Sequence, residues 1–209
     1  MPLEITHRTT YTYEPRAGHV ALRLSLYPSE FDGQTVGHWK VTIDGNEVAP
    51  LHTDGFGDRV GLWLSRDGAS SLEVVAEGSE SVADKSGVVK GLPRRPPPGV
   101  FLRTTKLTAA DDAIRDLARS TSRNQPLDTM HAMMEAVGTR IAYAPGTTNA
   151  NTSAADAIAA GSGVCQDQSH VFIASARALG IPARYVTGYL LAGEEDNELV
   201  ETHAWIEAF

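Results

Sequence analysis

A chain of 209 residues, 42% hydrophobic and 21% charged, is long enough for one large or two small domains with real cores. Its 18 basic and 26 acidic residues leave a net charge of −8, and no basic run or aromatic–basic interleaving tracks a phosphate backbone, so no nucleic acid is expected as a partner. One cysteine excludes an intrachain disulfide framework, MPLEITHRTTYTYEP lacks the basic-then-apolar layout of a signal peptide, and no apolar run approaches membrane-spanning length. The expectation is a cytoplasmic protein with no membrane partner, in a reducing compartment that preserves a thiol.

Residues 1–90 read as short strands. Leu3, Ile5, Thr9, Tyr11 and Tyr13 alternate with polar residues, and so do Val20, Leu22, Leu24 and Leu26. Trp39, Val41 and Ile43 run into Asp44-Gly45, a strong hairpin signal. Val60, Leu62 and Leu64, then Leu72, Val74 and Ala76, continue the period of two, which predicts a small N-terminal β-sandwich. His7, His19, His38 and His52 are scattered without metal-ligand spacing, so no metal is expected there.

Residues 91–104 contain GLPRRPPPG, whose consecutive prolines predict a stiff linker; a proline-rich recognition peptide is the alternative. Residues 105–209 form the second domain. Thr108 precedes AADDAIRDLARS, a capped amphipathic helix with Ile114, Leu117 and Ala118 inward. Residues 126–141 predict a second helix with Met130, Met133, Met134 and Val137 as its apolar stripe, read as core packing. An irregular loop follows from Tyr143 to Thr152, and Ser153 with Asp156 forms a capping pattern for a short helix ending near Gly161.

The remaining stretch carries the chemistry. The sole cysteine, Cys165, follows a Gly161–Gly163 turn and opens a helical pattern that Gly180 and Pro182 stop. In a first helical turn, unpaired N–H groups and the positive end of the macrodipole suit a thiolate and can hold an oxyanion. Two strand patterns follow, 181–191 and 199–209, joined by an acidic turn; in the second, His203, Trp205 and Glu207 share one face and Ala204, Ile206 and Ala208 the other. His203 is thereby placed to face the helix start. His170, about 140° around the helix from Cys165, reads as a structural or surface histidine, and Asp167 as a dipole-complementing or hydrogen-bonding residue.

GVCQDQSHVFIASARALGIPARYVTGYL followed by HAWIEAF, with YAPGTTNANTSAADAIAAGSGVCQD upstream, resembles the transglutaminase-like superfamily: papain-type thiol enzymes that include transglutaminases, bacterial transglutaminase-like proteins and predicted cysteine peptidases. The resemblance implies an α+β protein, with a small β-sandwich in front of a papain-like core of helices packed on an antiparallel sheet. It makes Cys165 the nucleophile and His203 the general base and acid, acting on a peptide or protein amide substrate with no cofactor. The loop before Thr152 would then border the cleft. The family's third catalytic residue is an aspartate on the next strand, beyond Phe209, so the core reads as C-terminally truncated, with Glu201 as a poorly aimed substitute. An open strand edge would then suit a homodimer. The alternative function is a non-catalytic binding or scaffold protein that keeps the fold with an incomplete site.

Overall fold

Alternating residues build strands throughout the first half of the protein. The computed structural model describes residues 2–93, 96–192 and 199–209, and the protein divides into two compact units, Met1–Pro96 and Pro97–Phe209. In the first unit β1 (Pro2–Ala17), β2 (Val20–Tyr27), β3 (Gln34–Ile43), β4 (Asn46–Glu47), β5 (His52–Thr53), β6 (Arg59–Ser65) and β7 (Ala69–Val82) form two sheets, ordered β1-β7-β3-β4 and β2-β6-β5. Val20 and Leu24 of β2 enter one apolar core with Val41 and Ile43 of β3 and Leu72, Val74 and Ala76 of β7, so the inner faces of the two sheets meet as a sandwich. The β3–β4 hairpin turns at Asp44 and Gly45, both with positive φ (48° and 79°), which is the primed turn that an Asp-Gly pair favours. The Asp44 carboxyl also accepts from the Glu73 N–H at 2.9 Å, tying the turn back to β7.

The second unit begins inside the proline-rich run. Pro98–Leu102 form a 3-10 turn that buries Phe101, and Lys106–Thr108 form another. Then come α1 (Asp112–Thr121), α2 (Pro126–Arg140), β8 (Ala142–Tyr143), α3 (Ala154–Ala160), β9 (Ser162–Gly163), α4 (Cys165–Ala178), β10 (Ala183–Ala192) and β11 (Leu199–Ala208). β10 and β11 pair antiparallel, while β8 and β9 form a short parallel clip. The core gathers Ile114 of α1, Met133 and Val137 of α2, Ala157 and Ile158 of α3 and Val171–Ala174 of α4, with Ile206 of β11 packed against it. The result is the mixed arrangement expected, helices on an antiparallel ribbon.

Two local expectations are corrected. Thr108 does not cap α1: Ala109 is extended, so the helix starts later, and the Asp111 carboxyl caps it by accepting from the Ile114 N–H at 2.9 Å. Met134 is 63% exposed, because it lies about 70° from the centre of the stripe that Met130, Met133 and Val137 define. Among the described residues no helix is long and apolar enough to cross a membrane.

These positions predict a sharp contrast. Met133, fully buried, should lose about 2–5 kcal/mol of stability on Met133→Ala, whereas Met134→Ala should stay within about 0.5 kcal/mol of the parent. Urea unfolding of both variants checks this; equal losses would mean that α2 is rotated from the orientation described.

Candidate active site

The site is built from the segment between α3 and α4. Ser153 and Asp156 cap α3 reciprocally, the Ser153 hydroxyl accepting from the Asp156 N–H at 3.2 Å and the Asp156 carboxyl from the Ser153 N–H at 3.1 Å. Gly161 ends the helix in the left-handed region (φ 66°). β9 then pairs in parallel with β8, Ala142 beside Ser162 and Tyr143 beside Gly163, so the turn before α4 is clipped to the segment leaving α2.

Cys165 is the first residue of α4 and is half-buried. Asp167, two residues on, is fully buried. Its Oδ2 accepts from the Val164 N–H at 2.8 Å and from the Thr148 hydroxyl at 2.6 Å, while its Oδ1 has no partner among the described residues. A β-carbon at Gly163 would stand 2.6 Å from that Oδ2 and 2.7 Å from the Asp167 Cβ, so the close approach requires glycine. The 143–152 loop gains two more ties: Thr147 folds back on Ala144, and the Gln166 amide of α4 donates to the Asn149 carbonyl at 3.3 Å. The N–H groups of Asp167 and Gln168 donate to the Val164 carbonyl. Those of Cys165 and Gln166 have no backbone acceptor among the described residues, leaving donors of the kind that hold an oxyanion.

His170 is 6% exposed and its ring centroid lies 5.5 Å from that of Tyr185. Burial pulls His170 below an ordinary histidine, partly offset by a bond to the Thr152 backbone and by the potential of Asp167. Tyr185 is pushed up, first by burial and then by the negative potentials of Cys165 and Asp167. His170 is therefore a buried packing residue.

His203 stands in β11 opposite Gly188 of β10. Its ring meets Trp205 edge-on, centroids 4.8 Å apart at 69°, and Trp205 lies over Gly188, where a β-carbon would come within 3.1 Å of the indole. Farther along the same face, Arg184 pairs with Glu207 at 2.7 Å. Ala204 is buried and Ile206 joins the core on the other face, following the predicted alternation. β11 packs on α4 through its Ala204 and Ile206 face, so the elements bearing Cys165 and His203 are neighbours. The His203 ring stands on the other face of the strand, not toward the helix start as expected, and no hydrogen bond joins the two side chains among the described residues. The Glu201 side group lies outside the described part of the structure. Among the described residues no three His, Cys, Asp or Glu side groups are gathered as a metal ion needs.

Sequence reasoning puts Cys165 at a helix start and His203 on a strand, as the structure has them, but misses the depth of Asp167 and the contact of Tyr185 with His170. The CQD spacing holds a clue to the first, since an acid two residues into a helix sits where it can reach back to the N-cap N–H. Nothing local marks Tyr185, whose position depends on how β10 crosses α4.

Comparison with known proteins covers most of the sequence. The sequence profile of the transglutaminase-like superfamily matches residues 115–209, and that of the bacterial transglutaminase-like N-terminal region matches residues 3–79. An uncharacterized protein of Mycobacterium leprae is 33% identical over 113 residues, covering 52% of this chain; the match spans 40% of that relative's length. An uncharacterized protein of Mycobacterium tuberculosis strain H37Rv is 27% identical, covering 96% of this chain and 71% of its own length. The crystal structure of a candidate cysteine protease from Cytophaga hutchinsonii aligns at a TM-score of 0.76 and 21% identity, covering 100% of this chain and 72% of the other. At that identity the likeness is one of fold.

The burial of His170 predicts a pH dependence. Its folded value is depressed, so the unfolded protein, titrating near about 6.5, binds the proton first. The contribution is whole above that value and is lost as pH falls through the folded one. The urea midpoint should therefore drop between pH 7 and pH 5, and His170→Asn should reduce that drop. Identical drops in the two proteins would remove His170 as the cause.

Proposed function

The chain belongs to the transglutaminase-like superfamily, and from that membership we propose a thiol-dependent acyl transfer or hydrolysis of amide bonds, in peptides or glutamine side groups, carried by Cys165 with His203 as acid and base. The observation that supports this most is the seat of Cys165: the sole cysteine opens α4 behind a glycine turn clamped by a buried carboxyl, with the His203 strand packed on the same helix.

The chemistry follows from that seat. The Cys165 sulfur attacks the amide carbonyl carbon, and the new oxyanion is held by the spare N–H groups at the helix start. The tetrahedral species collapses as the C–N bond breaks, and His203 gives its proton to the leaving amine. Water or a second amine then attacks the thioester, losing its proton to His203 as the Cys165 thiolate departs. Water makes the protein a peptidase or amidase; an amine makes it a transglutaminase. The whole cycle uses protein side groups, and a cytoplasmic setting belongs to the same proposal.

One observation favours a second reading, a non-catalytic binding protein on the same fold: the His203 ring is engaged edge-on by Trp205 rather than bonded to Cys165. Alkylation separates the two. With iodoacetamide at pH 6, and with Cys165→Ser as the blank, the parent should react roughly tenfold or more faster than His203→Ala, because the imidazolium no longer supports the thiolate. Equal rates would contradict the catalytic pair and favour the binding reading.

A further inference from the structure

A cleft runs beside α4, whose own mid-helix residues are buried. It has a volume of about 350 Å³ and is walled by Leu107, Gln166, His170, Ile173, Arg177 and Tyr185. Its two ends differ in chemistry. The near end is Gln166, the residue after Cys165 in the first turn of α4, and the Tyr185 wall feels the negative potentials of Cys165 and Asp167. The far end is Arg177, eleven positions after Gln166 in the helix, roughly 16 Å along the axis at 1.5 Å per residue. Helical side groups lean toward the N-terminus, so the guanidinium shortens that span. Between the ends the walls are largely apolar, from Leu107, Ile173 and the Tyr185 ring.

Among the described residues Arg177 has no counter-charge. Its Nε donates to the Phe101 and Ala183 carbonyls, Nη2 to the Ala183 carbonyl at 2.8 Å, and Nη1 to the Thr108 hydroxyl at 2.8 Å. A guanidinium carries five N–H donors, so two have no acceptor among the described residues. No carboxylate is paired with it among the described residues, and burial lowers its pKa, as expected for a cation short of negative charge. A guanidinium at the end of an apolar trough is suited to a carboxylate, which it can grip through parallel N–H groups.

We propose that this cleft binds a peptide segment joined to the group on which Cys165 acts, lying along α4 with apolar residues mid-cleft and a carboxylate at Arg177. The inference rests on the reading of Cys165 as the reactive thiol. Extended peptide advances roughly 3.3 Å per residue, so the span, less the reach of the arginine, corresponds to about three residues. The carboxylate is then either the free C-terminus of the peptide or an acidic side group at the third position.

N-iodoacetyl peptides test this without requiring turnover. The Cys165 sulfur displaces iodide, forming the S–C bond as the C–I bond breaks, so the rate reports how well the cleft positions the reagent. Iodoacetyl-Leu-Leu-Leu as the free acid should label Cys165 roughly tenfold faster than its carboxamide at low concentration, about what one charge-assisted bidentate contact supplies. Iodoacetyl-Leu-Leu-Glu carboxamide identifies the source: labelling as fast as the free acid means that an acidic side group suffices, and labelling at the carboxamide rate means that the peptide terminus is read. Ala150→Trp, which obstructs the cleft from an exposed position, should erase the preference, each labelling rate being taken relative to the same protein's rate with iodoacetamide. Arg177→Gln, its fold checked by circular dichroism, should erase it on the same scale. A native protein that reacts with iodoacetamide but labels acid and carboxamide equally overturns the cleft proposal alone. A Cys165 inert to every reagent overturns the thiol reading beneath it.

Discussion

The buried Asp167 carboxyl sets the start of α4, and the rest of the site depends on it. One oxygen holds both the Val164 N–H and the Thr148 hydroxyl, joining the N-cap of the helix to the loop that follows β8. A fully buried carboxyl is expensive to hold without partners, so the two donors and the adjacent residues are constrained together. Gly163 must lack a side group for this approach to exist, and Cys165, between Gly163 and Asp167, has little freedom of position. The rigidity that a nucleophile needs comes from hydrogen bonding at the helix end, not from contacts to the thiol itself.

The opposite end of α4 is fixed by a different device. Arg177 binds the Phe101 carbonyl, the Ala183 carbonyl and the Thr108 hydroxyl, linking the start of the second unit to the helix and to the first residue of β10. Phe101 also stacks on Phe209, centroids 5.0 Å apart, and Arg184 lies over both rings. Between these pins, residues 169–176 of α4 are buried throughout, which explains why this helix is made of alanine, serine and compact apolar residues rather than an amphipathic pattern. A central helix has neighbours on nearly every side, and only small side groups let α1, α3 and β11 approach it closely.

Local signals carry much of this. The Asp44-Gly45 turn, the Ser153–Asp156 cap, the Gly161 stop and the placement of Cys165 at a helix start all rest on backbone rules acting within a few residues, and each is legible in the sequence. The pairing of Ala204 and Ile206 against the core, with His203 and Trp205 on the other face, follows from strand alternation alone. What escapes reading depends on contacts distant in sequence. Thr108 looks like a cap, but an extended Ala109 delays the helix and frees its hydroxyl for Arg177. Met134 fits a stripe by spacing and falls outside it by angle. The Asp167 partner is Thr148, 19 residues away, and the cleft beside α4 is walled by segments from 105 to 185, so neither has a signature in any short window.

Cys165 as an acyl acceptor is the claim on which the functional account stands. The most direct measurement is intact-protein mass spectrometry after brief mixing with an activated ester such as p-nitrophenyl acetate, with peptide mapping to locate the adduct. The account predicts a single acetyl group on Cys165 that is lost by hydrolysis, and that persists longer in His203→Ala because no base activates the water. Acetylation absent from Cys165, or a thioester whose lifetime is the same with and without His203, would contradict it.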